Sequence, residues 1–165
     1  MPSDGGIRTL LLIGRARKAK LVDIRECTEL PGWKAFLGDG VVELTVGGVA
    51  IFDETIHVAV EGLWNDLAEV VAQYRAQGHA ETRLWEGYGA LRLEPIPGGR
   101  ARFTLAFDDG TSRRGVTGEQ ELLAALTAGG VAFFEKLGEL TGGFHDRAIA
   151  KLTGRNGAGR TGPSA

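Results

Sequence analysis

The chain has 165 residues, 43% hydrophobic and 24% charged, enough for one soluble domain with its own core. No apolar run approaches the roughly 20 residues that a bilayer-spanning helix needs, so no membrane partner is expected. Cys27 is the only cysteine, which excludes an internal disulfide and fits a reducing cytoplasm.

Net charge is −2, unevenly spread. The first twenty residues hold Arg8, Arg15, Arg17, Lys18 and Lys20 against Asp4. Residues 147–165 hold Arg147, Lys151, Arg155 and Arg160 without an acid, while 21–146 carry ten basic and twenty acidic residues, a balance of −10. Solubility is the ordinary meaning of such a body, and attraction of a basic partner is the functional one. Thr9–Gly14 is the most apolar stretch near the start. It is too short for a leader core, and its charges follow rather than precede it.

Along the chain, Ile7–Ile13 and Lys20–Glu26 read as strands, separated by a basic run. Thr28–Gly40, with Pro31, Gly32, Gly38 and Gly40, reads as a loop carrying Trp33 and Phe36. Val42, Leu44 and Val46 alternate with polar residues up to Gly47-Gly48, which fits a two-residue hairpin loop. That register sets Val46 opposite Val49 and Leu44 opposite Ile51, all on one face.

A helix is predicted over Glu61–Gln77, with Leu63, Leu67, Val70, Val71 and Tyr74 on one stripe, Trp64 beside it and Gly78 as its stop. Four strands should follow, near 81–86, 90–96, 100–107 and 111–116. A three-residue loop at Pro97-Gly98-Gly99 pairs Leu93 with Phe103, Leu91 with Leu105 and Glu94 with Arg102. Asp109-Gly110 suits a two-residue loop that turns Arg114 inward, opposite Leu105. Arg92, Glu94, Arg102, Thr104 and Arg113 then form an outer polar face. Leu84 and Trp85 both look buried. Thr117 with Gln120 has the form of a capping box before a second helix, in which Gly129-Gly130 implies a kink or close packing. Phe144–Leu152 suits a short last helix. The expected organisation is one α+β domain over 1–153, a mostly antiparallel twisted sheet of six to eight strands covered on one face by two main helices. A disordered tail over 154–165 completes it.

Catalytic motifs are incomplete. Gly154–Thr161 has glycines spaced like a phosphate-binding loop, but that loop works only ahead of a helix, and four residues follow Thr161. His79-Ala80-Glu81 lacks the paired cysteines of a zinc deaminase. No serine sits in a nucleophile elbow, and Cys27 reads as a small buried hydrophobe. The acids of Asp53-Glu54 and Asp108-Asp109 are adjacent, so on strands they face opposite ways. No catalytic residue, metal ligand or cofactor is assigned, and the balance leans away from an enzyme. Nucleic acid is not expected, because aromatics do not interleave with the arginines.

From Val41 onward, over about 95 residues, the layout resembles a class of small uncharacterised actinobacterial α+β domains, some of immunity-protein type. The carrying features are the Val/Leu hairpin, Leu63-Trp64, Asp66-Leu67-Ala68, Tyr74-Arg75, Trp85-Glu86, Gly89-x-Leu91-x-Leu93, a second hairpin and a closing Leu/Phe helix. Residues 1–35 and the tail fall outside the resemblance. It implies an immunity-type role against toxins of interbacterial competition and transfers no active-site residue. The expected function is a non-catalytic cytoplasmic protein docking a basic protein partner. Trp33 and Trp85 are the candidate anchors, with Glu81 and Glu86 nearby. Two alternatives stay open: a small-molecule binder or enzyme with a pocket between sheet and helix, and a structural subunit of a homo-oligomer.

Overall fold

Strand pairing divides along the chain into two sheets rather than one. A computed structural model describes residues 7–14, 16–29 and 39–155. Strands β1 (Arg8–Ile13), β2 (Lys20–Asp23), β3 (Asp39–Val46), β4 (Val49–Phe52) and β5 (Val58–Ala59) precede helix α1 (Val60–Gln77). Strands β6 (Ala80–Arg83), β7 (Gly89–Ile96), β8 (Arg100–Phe107) and β9 (Ser112–Gly118) follow, then helices α2 (Glu119–Thr141) and α3 (Asp146–Thr153). The first sheet has the order β2-β1-β3-β4, with β5 also on β3, and the second is the meander β6-β7-β8-β9. Every pairing among the described residues is antiparallel, an α+β fold.

The expected single sheet is therefore corrected. Helix α1 interrupts the strands, so the later four pair locally. The sheets instead meet at a corner built on two glycines. A Cβ on Gly47 would lie 2.1 Å from the Val116 carbonyl oxygen, and one on Gly115 would lie 2.1 Å from that of Val46. Only glycine permits this backbone approach. Arg113 adds a polar tie, donating to Asp53 and to the Thr55 hydroxyl at 3.1 Å each.

Local registers follow the sequence in part. Leu93 faces Phe103, Leu91 faces Leu105 and Glu94 faces Arg102, across the three-residue loop. Val46 faces Val49, but a bulge between Leu44 and Thr45 sets Leu44 against Phe52 instead of Ile51. The bulge lets both Ile51 and Phe52 be buried and leaves Val49 39% exposed. The Asp109-Gly110 turn is one residue longer than expected, since Phe107 donates its amide to the Thr111 carbonyl. That change moves Arg113 opposite Leu105 and Arg114 opposite Thr104, so Arg113 is the inward arginine.

The stripe of α1 is buried as expected, and Gly78, at φ 80°, closes the helix with its N–H on Tyr74. The capping box does not form. Thr117 belongs to β9, and the first amide of α2, from Glu119, goes to the Gly99 carbonyl at 2.9 Å. Gly129-Gly130 serves close packing: a Cβ on Gly130 would lie 2.5 Å from Leu152 and 3.1 Å from Trp64. Trp64 is wholly buried there, stacked on Phe133, and its indole N–H donates to Thr9 at 2.9 Å. One hydrophobic cluster joins both sheets and all three helices.

Candidate binding site at the start of helix α1

The turn Leu84–Tyr88 joins β6 to β7 and lies against the first turns of α1. Leu84 is buried and donates its amide to Gly89, while Gly87, at φ 82°, donates back to Leu84 at 2.8 Å. Between these anchors the chain carries Trp85, whose side chain is 73% exposed. This corrects the expectation that Trp85 belongs to the core. Its ring lies against Gly62, where a Cβ would come within 3.1 Å of Cε3.

The turn is held from several sides. Trp85 donates its amide to Asp66 Oδ2 at 2.9 Å, and Glu86 Oε1 accepts from the amide of Ala59 at 2.5 Å, just ahead of α1. That carboxylate stands at the positive end of the helix, where negative charge is favoured. Arg83 donates to the Gly87 carbonyl at 2.9 Å and pairs with Asp108. Asp108 in turn donates its amide to the Tyr88 carbonyl, and Tyr88 stacks on Phe107. An exposed indole so fixed loses little freedom on docking.

Helix α1 also occupies the free edge of β6. The outward amides of Glu81 and Trp85 are taken by Gln73 and Asp66, side chains two helical turns apart. Strand addition at those positions is thereby blocked, and recognition falls to side chains.

Burial pushes the Asp66 carboxyl up, against the lowering effect of the Trp85 amide and with a further rise from Glu86. Burial, with Glu86 and Asp66, raises the Tyr88 hydroxyl to about 12. Three perturbed or acidic groups thus converge, as they would in an active site. The pit among Val58, Leu63, Asp66, Leu84, Glu86 and Tyr88 has a volume of only about 10 Å³. That admits at most one water. The convergence holds a loop and leaves no space for a substrate.

Of the residues singled out from sequence, Trp85 and Glu86 are brought together. Glu81 is not among them, since it pairs with Arg92 at 3.4 Å on the outer face of the meander. Trp33 lies outside the described residues. Asp66 and Gly62 were not foreseen, because on a helix read from sequence they are one more acid and one more small residue. Cys27 is buried and donates to the Asp23 carbonyl, and burial pushes its thiol up, away from the reactive thiolate. Among the described residues, no group of three or more His, Cys, Asp or Glu side chains could hold a metal ion. No helix there is long and apolar enough to cross a membrane. No family model, curated protein or solved structure matches this chain.

Proposed function

We propose that this protein is a non-catalytic binding protein of immunity type, which docks a basic protein partner on the face around Trp85. One observation carries the reading: a large aromatic side chain is 73% exposed on a turn tied down by two carboxylate–amide hydrogen bonds. Tryptophan is enriched among the anchors that carry binding energy at protein interfaces. The acids at the turn, Asp66 and Glu86, suit a partner that presents lysine or arginine over the indole face. In this arrangement Trp85 supplies affinity, and the acidic body supplies the association rate.

The test is photo-crosslinking from position 85 in the native host, followed by binding measurements with the purified captured protein. The expected result is a basic, stoichiometric partner whose affinity for Trp85→Ala falls about 30-fold or more, a hot-spot effect. The melting temperature should stay put, because truncating an exposed side chain changes stability by only about 0.5 kcal/mol. Association should slow as salt rises. An unchanged affinity in Trp85→Ala, or a captured partner that is acidic, refutes the reading.

A further inference from the structure

A second feature, independent of the Trp85 face, lies at the other end of α1. Its last turns and α3 enclose a groove of about 410 Å³, lined by Ala72, Arg75, Ala76, Arg147, Ala150 and Lys151. That volume falls within the roughly 300–1,000 Å³ of small-molecule sites. Three alanines and three cations line it. We propose that this groove binds a phosphorylated small molecule, its phosphate held among Arg75, Arg147 and Lys151 and its apolar part resting on the alanines.

Each cation has a distinct standing. Arg75 donates to the carbonyl of Leu152 and, at 3.0 Å, to the hydroxyl of Thr127. Both acceptors are neutral, so the guanidinium is held in place with its charge uncompensated. Lys151 pairs with Glu69 at 2.9 Å. Among the described residues, Arg147 has no side-chain hydrogen bond or ion pair. The rim thus carries three positive charges against the carboxylate of Glu69, an excess that matches a phosphate dianion.

The helix dipole explains Arg75 and Lys151, which sit in the last turns of their helices. It does not explain Arg147. That residue occupies the first turn of α3, where a cation is disfavoured, and still lines the groove. Unpaired, its charge is available to an anion in the groove. No aromatic platform lines the groove, so stacking of nucleic-acid bases has no support there.

The test is calorimetric titration of the full chain with inorganic pyrophosphate at low ionic strength, alongside amide shifts by nuclear magnetic resonance. Saturable one-to-one binding is expected, with shifts confined to residues 72–76 and 147–154. Arg147→Gln should weaken binding at least tenfold without lowering the melting temperature, and Lys151→Gln should weaken it as well. Arg102→Gln, on the outer face of the meander, should bind like the wild type. Absence of saturation overturns the proposal, as does equal weakening by Arg102→Gln. So does binding of phosphatidylserine vesicles that pyrophosphate fails to displace, which would mark a membrane-docking face.

Discussion

The two ends of helix α1 carry opposite charge and opposite surfaces. At its start, Asp66 and Glu86 accept backbone amides and hold up an exposed indole. At its finish, Arg75 donates to neutral oxygens beside a groove lined by alanines and cations. Glu86 and Arg75 each stand where the helix dipole favours their charge, so the dipole alone does not distinguish the two ends. The apolar component does. A ring 73% exposed offers area to a macromolecular surface, whereas small side chains around a concavity leave room for something compact. The same 18-residue helix therefore carries two unlike surfaces, each fixed by residues contributed from elsewhere in the chain.

The largest expected effect separates the two ends. Leu152 is wholly buried and packs onto Gly130 from α3, so it fastens the wall of the basic groove. Leu152→Ala should cost about 2–5 kcal/mol, the range for a buried leucine that leaves a cavity. Hydrogen exchange should show protection lost first in α3, with β6 and the Trp85 turn unaffected. A cost below about 1 kcal/mol, measured by denaturant unfolding, would mean that α3 is not built into the core and the groove has no firm wall.

A smaller effect belongs to the acidic end and appears as a pH dependence. Burial raises the Asp66 carboxyl on folding. A group raised in this way takes up its proton in the native state before it does in the unfolded chain. Its contribution therefore improves as pH falls through the window between the raised native value and the ordinary 3.8, and is lost as pH rises through that window. Asp53 and Glu69 act in the opposite sense. Thr55 and Lys151, respectively, hold them below their ordinary values, so what they contribute is lost on acidification. Comparison with Asp66→Asn, whose side-chain oxygen still accepts from Trp85, isolates the one group. Wild type should gain on Asp66→Asn as pH is lowered toward 4, followed by urea unfolding. A flat difference would contradict a desolvated carboxyl.

How much of this was legible depended on whether neighbouring residues differed. The stripe of α1 and the β7–β8 register rest on alternation between unlike residues, and both are as read. The β8–β9 register failed at Arg113-Arg114, where two identical side chains left no pattern to arbitrate between a two- and a three-residue turn. Ile51-Phe52 hid a bulge for the same reason, both being apolar. Leu84-Trp85 concealed which of two apolar residues was exposed, and the answer lay in the distant Gly62. The division into two sheets, set where Gly47 meets Val116, is likewise a contact between remote segments. The groove between α1 and α3 left only the acid-free run of basic residues as a sign, and that run did not indicate which of them converge.

The smallest effect joins the two questions, because one substitution should move stability and binding in opposite directions. The Glu69–Lys151 pair is about two-fifths exposed on both sides, so solvent screens it. Glu69→Gln should cost roughly 0.2–1 kcal/mol at low salt, a loss that fades near 1 M salt. The same change releases the Lys151 amine from its carboxylate and leaves the rim of the groove more positive. Pyrophosphate should then bind Glu69→Gln more tightly than the wild type, although the protein itself is slightly less stable. If the carboxylate instead oriented Lys151 for the ligand, affinity would fall with stability, and Glu69 would belong to the phosphate site rather than compete with it.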